Sequence, residues 1–105
     1  GNLQEAELST RKAIKLNPDL ASGYCCLGFI LKDLNRLDEA SETFNRAINL
    51  KKKYNDAILG LGLTLFRKGQ HSEGLKKIKE GEGYININLD SGLSINYDGK
   101  TINLK

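Results

Sequence analysis

The chain has no methionine, no tryptophan, one proline, one histidine and two cysteines. Each shortage excludes something. There is no initiator residue, and the opening GNLQEAELSTRKAI already has helical spacing, so the sequence reads as a piece of a longer protein. The cysteines are adjacent, Cys25 and Cys26. Chain neighbours seldom bridge because the geometry is strained, so a reducing, cytoplasmic setting is expected. With a single histidine, His71, and no Cys-x-x-Cys spacing, no metal site is expected. No Ser, Cys or carboxylate constellation converges on His71, which is read as a solvated residue in a helix-connecting turn; no catalytic residue and no cofactor are expected.

Long apolar runs are missing too. Nothing reaches the ~18 residues of a membrane span, and no signal peptide is visible. The net charge of +3 is mild and spread over alternating Lys and Glu, which argues against nucleic acid. Lys51-Lys52-Lys53 has no interleaved aromatics to stack bases and reads as a solvated turn.

What is present is a period. Sliding the chain by 34 residues lays Leu3-Gln4-Glu5-Ala6 on Leu37-Asp38-Glu39-Ala40, Ala13-Ile14 on Ala47-Ile48, and Leu27-Gly28 on Leu61-Gly62. Within each unit the apolar residues keep helical spacing. Tyr24, Leu27, Gly28 and Leu31 form one stripe; Ala40, Phe44, Ala47 and Ile48 form another. Asn35-Arg36 separates two helices, with Asp38 and Ser72 as expected N-caps and Asp19, after Pro18, opening the next unit. The stretch AILGLGLTLF (57–66) is therefore a helix. No strand precedes its Gly60-x-Gly62, and no third glycine or Lys-Ser/Thr follows, so it is not a phosphate loop.

This pattern resembles the tetratricopeptide repeat family, whose signature is carried here by Tyr24, Leu27, Gly28, Leu31, Ala40, Phe44 and Ala47. Ala6, Ala13 and Pro18 carry the second half of the preceding unit; Ile58, Leu61, Gly62 and Leu65 carry the first half of the next. The resemblance divides residues 1–82 into 1–18, a half repeat, 19–52, a full repeat, and 53–82, a degenerate terminal repeat. Thr10 and Lys52 depart from the pattern, and Gly74, Gly81 and Gly83 should shorten the last helix.

The resemblance implies a right-handed superhelix without catalytic activity, whose first helices line a concave groove for a protein segment. Carried over, the groove is lined by Ser22, Cys25, Cys26, Phe29 and Lys32 from one helix, and by Asp56, Leu59, Gly60, Leu63, Phe66 and Arg67 from the next. Phe29, Leu59, Leu63 and Phe66 lie off the hairpin stripe, so they either pack on neighbouring elements or form an apolar partner surface. Asp56 stands where carboxylate-gripping members hold a basic or amide residue, which disfavours chaperone-tail binding.

After Gly83 the apolar period falls to two, in YININLDSGLSINYDGKTINLK. Asp98-Gly99 is a hairpin signal and Asp90-Ser91-Gly92 another. Together they predict a three-stranded antiparallel meander with strands near 84–89, 93–97 and 101–104, forming a tail over 83–105. Its expected pairs are Leu89–Leu93, Ile87–Ile95 and Ile85–Tyr97, then Ile95–Ile102 and Leu93–Leu104. The expected fold class is mainly α, a solenoid of helix hairpins followed by this small sheet. The expected function is a scaffold that binds a protein or peptide partner. The alternatives are a docking or spacer region of a larger transferase or oxygenase, or self-assembly into a homo-oligomer.

Overall fold

A computed structural model describes residues 2–80 with their side chains, and residues 84–88, 92–97 and 100–104 as backbone segments. Five helices come first: α1 (Asn2–Leu16), α2 (Ala21–Asp33), α3 (Leu37–Leu50), α4 (Asn55–Arg67) and α5 (His71–Glu80). α2 and α4 have the same length and start 34 residues apart; α3 and α5 also start 34 residues apart, but α5 has 10 residues where α3 has 14. The sequence period is thus a period of helix hairpins.

The turns repeat atom for atom. Past α2, the N–H groups of Leu34, Asn35 and Arg36 donate to the carbonyls of Ile30, Lys32 and Leu31. Past α4, Lys68, Gly69 and Gln70 donate to Thr64, Phe66 and Leu65. Each is a Schellman turn, which returns the chain by satisfying the last helical carbonyls. It needs a left-handed residue, supplied by Asn35 (φ 63°) in one turn and Gly69 (φ 89°) in the other.

That turn also moves the expected caps. α3 starts directly after it, with Arg36 as N-cap and no side-chain capping bond. Asp38 therefore lies inside the first turn, where its charge suits the helix dipole, and pairs with Lys68 at 2.7 Å. Ser72 and His71 likewise belong to α5, not to a connecting turn. Leu20, one residue past Asp19, is the N-cap of α2.

The core forms where the hairpins meet. Phe44, Ala40 and Ala47 of α3 are fully buried against Tyr24, Leu27 and Leu31 of α2 and Ala57 and Leu61 of α4. The Phe44 ring fills a slot between Gly28 and Gly60: a Cβ on Gly28 would stand 2.7–2.8 Å from it, and one on Gly60 would strike it. In the second hairpin, a Cβ on Gly62 would meet the Gly74 carbonyl oxygen at 2.9 Å and the Ile78 nitrogen at 2.9 Å. Gly74 thus serves close approach of α4 and α5, and α5 holds to Glu80 despite it. Gly81 and Gly83 lie outside the described residues.

An ionic clasp joins α1 to α3. The Arg36 guanidinium donates to both Glu7 oxygens at 2.8 and 3.0 Å and to Glu39 at 2.9 and 3.0 Å, while Arg11 pairs with Glu7 at 2.9 Å. The Arg36 bonds hold the Glu39 carboxyl below its ordinary value.

The expected fold class, a solenoid with a β-meander, needs correction. Among the residues with described side chains the packed core is wholly helical: every buried apolar residue lies on α2, α3, α4 or α5. The fold is that of a helical repeat solenoid. The backbone segments β1 (Tyr84–Asn88), β2 (Gly92–Tyr97) and β3 (Lys100–Leu104) pair antiparallel in chain order. β1 pairs Ile87 with Leu93 and Ile85 with Ile95, not Ile87 with Ile95 and Ile85 with Tyr97 as expected. A slip of two residues leaves every side chain on its original face, so alternation alone could not distinguish the registers. β2 and β3 pair Leu93 with Leu104 and Ile95 with Ile102. Leu89, the Asp98-Gly99 turn and Asp90-Ser91 lie outside the described residues.

Candidate partner-binding face

α2 and α4 are the first helices of successive hairpins and touch side by side. The eleven residues expected on a groove fall into three groups. Ser22, Cys26, Asp56 and Arg67 are exposed; Phe29, Lys32 and Phe66 are half-buried; Cys25, Leu59, Gly60 and Leu63 are buried. Leu59 and Leu63 pack with Ile78 of α5 and with Phe29, so they act as core. Gly60 backs the Phe44 ring. The apolar excess on α4 therefore goes mostly to internal packing, one of the two readings open at the sequence level.

The exposed and half-buried residues carry polar chemistry over an aromatic base. Phe29 meets Phe44 edge to face, with ring centroids 5.0 Å apart, which ties the face to the core. The Lys32 ammonium lies 5.7 Å from the Phe29 ring centre and 3.3 Å from Asp33. An Arg67 Nη1–H donates to the Lys32 carbonyl at 3.2 Å, placing a cation at the C-terminal end of α2, where the helix dipole favours one. Phe66 stacks on His71 at 4.4 Å. His71 is thus exposed but held against an aromatic ring, a contact that its sequence neighbourhood does not announce.

Cys25 is chemically quiet. Burial pushes its thiol up to about 11, against a smaller opposing effect from its hydrogen bond with Tyr54. Burial likewise raises the Tyr54 phenol to about 12. At neutral pH both stay protonated, and a buried thiol is a poor nucleophile. Tyr54, the N-cap of α4, was not among the expected site residues; its aromatic character directly before α4 was the only signal. Among the described residues no group of three or more His, Cys, Asp or Glu side chains is placed to hold a metal ion. None of the described helices is long and apolar enough to cross a membrane.

Residues 30–69 match the family model of the TPR repeat, from the end of α2 through α4. Among solved structures the chain is similar to "Crystal structure of MamA", at 28% identity and a TM-score of 0.71, over 77% of this chain and 47% of that one. A second, "Crystal structure of MamA protein", aligns at 29% identity and a TM-score of 0.69, over 75% of this chain and 43% of that one. The chain thus spans less than half the length of these MamA chains. No curated protein matches it. Residues 30–69 are thus similar to the TPR repeat, and the helix hairpins share a helical repeat architecture with the MamA structures.

Proposed function

We propose that the chain is a non-catalytic scaffold that binds a segment of a partner protein along the α2–α4 face. The organisation proposed for it is a half repeat over 1–18, a full repeat over 19–52 and a terminal repeat over 53–82. The observation that carries the reading is the make-up of that face. Two first helices lie in parallel repeat positions, with Ser22, Cys26, Asp56 and Arg67 exposed over the half-buried rings of Phe29 and Phe66. Half-buried aromatics beneath an accessible polar layer are the composition of protein contact surfaces, where rings anchor and the rim orients.

The test is site-directed photo-crosslinking in cells. A crosslinker at Ser22 or Arg67 should capture a discrete partner band, and one at Glu42, exposed on α3, should not. Equal capture from both positions, or capture from Glu42 alone, overturns the placement.

A further inference from the structure

The charged side chains divide between the two ends of the helix stack. At the end that holds the α2–α3 and α4–α5 turns, cations and carboxylates neutralise one another. Arg36 and Arg11 pair with Glu7 and Glu39, Lys32 with Asp33, and Lys68 with Asp38. The opposite end holds the α3–α4 turn, with Lys51-Lys52-Lys53 exposed. Among the described residues none of these three lysines pairs with a carboxylate. Glu80, which lines a cavity with Lys52 and Lys53, is paired with Lys77 at 3.4 Å.

Two features distinguish this edge from an ordinary solvated turn. A helix C-terminus favours one cation beside it. Lys51, the C-cap of α3, fills that place, with its ammonium 4.6 Å from the Tyr54 ring centre. The helix end does not account for Lys52 and Lys53. Lys53 has φ 59°, in the left-handed region that Asn35 and Gly69 occupy in the other turns. A lysine is strained there because its Cβ crowds the backbone, so the chain keeps a cation where glycine or asparagine would fit better. The second feature is apolar. Leu50, next to the lysines, is 41% exposed, and Leu20, the N-cap of the antiparallel α2, is 38% exposed at the same end. The turn stands between the hairpins α2–α3 and α4–α5, so its exposure is set by helices already in place.

We propose that this edge rests on an anionic membrane surface, with Lys52 and Lys53 over lipid phosphates and Leu20 and Leu50 entering the headgroup layer. The unpaired lysines set the sign of the partner, and the leucines set its kind. A bilayer surface presents phosphates in front of hydrocarbon, which suits ammonium groups and leucines side by side. A nucleic acid presents phosphates in front of bases, and this turn holds no arginine and no free ring, since Tyr54 lies beneath Lys51. The contact is peripheral and uses the ends of the helices. The α2–α4 face runs along their sides, so the two proposals are tested separately.

The test is flotation of the full chain with vesicles of phosphatidylcholine alone or with about 30% phosphatidylserine, at about 5 mM lipid. The anionic vesicles should bind at least about tenfold more chain at about 0.1 M salt, and about 0.5 M salt should abolish the difference. Lys53→Gly removes a charge while supplying the residue that a left-handed φ favours. It should cut partitioning about fivefold without lowering the melting midpoint. Leu20→Ser removes an exposed leucine and places a capping residue where α2 has no side-chain cap bond; it should weaken partitioning about threefold. Lys68→Gln, at the opposite end, should leave partitioning unchanged. Equal binding to both vesicle types, no binding, or binding indifferent to Lys53→Gly overturns the proposal. Salt-sensitive binding to an RNA oligonucleotide or to polyglutamate, without vesicle binding, also overturns it and assigns the lysines to a nucleic acid or an acidic protein.

Discussion

The two hairpins, α2–α3 and α4–α5, solve the same packing problem with different materials. At equivalent positions the first has Gly28, Ala40 and Phe44, and the second has Gly62, Gly74 and Ile78. In the first, glycine makes room for a ring, and the helices are held apart by its width. In the second the opposing side chain is smaller and a second glycine replaces alanine, so the backbones themselves come into contact. A repeat therefore preserves the place of a contact without preserving its chemistry. What one unit fills with an aromatic side chain, the next closes by approach of the main chains.

The largest effect should come from emptying the slot. Phe44→Ala removes the largest fully buried side chain and should cost about 3–5 kcal/mol in urea unfolding, enough to loosen both flanking helices. A cost under about 1 kcal/mol would mean that the slot collapses easily and that the ring does not set the hairpin spacing.

A smaller effect separates the hairpins more sharply. Gly62→Ala should cost about 1–3 kcal/mol, because its Cβ would press not only on Ile78 Cγ1 but also on the Gly74 carbonyl and the Ile78 nitrogen, and the two backbone atoms cannot turn aside. Gly28→Ala presses only on a side chain. Its cost should therefore be relieved by Phe44→Leu in the double mutant, whereas Ile78→Val should not rescue Gly62→Ala. Equal rescue in both pairs would erase the distinction between ring and backbone contact.

The smallest effect belongs to the surface clasp. Arg36→Gln should lower the melting midpoint less than either glycine variant, and the difference should shrink in high salt, since exposed ion pairs are screened. The Glu39 carboxyl is held low by Arg36, so its contribution is present above the ordinary carboxylate range and is lost as pH falls through the lowered value. The gap between Arg36→Gln and the parent chain should accordingly close in acid. A gap that persists there would place the clasp's effect in packing.

The helical part was legible because each hairpin interface recurs, so Leu27-Gly28 and Leu61-Gly62 announce themselves at a fixed spacing. Their role at a close approach followed from the period. Leu59, Leu63 and Gly60 were less legible. Helical spacing puts them on a second face, yet only the position of α5 and the reach of Phe44 make them interior. The helix starts were misplaced because polar residues near a start, such as Asp38 and Ser72, look like caps, while the actual entry is dictated by the preceding Schellman turn. In the tail, the expected first register was off by two residues, a slip to which a period of two is blind.

Local chemistry and periodicity by themselves determined the number of helices, their 34-residue spacing and the glycines at which they meet. Those features arise from contacts between chain neighbours and from a pattern repeated along one dimension. Tertiary structure alone decided which apolar residues became core and that Cys25 would be buried while Cys26 stayed exposed. A side chain's burial depends on what comes to lie against it, and that neighbour can be many residues away along the chain.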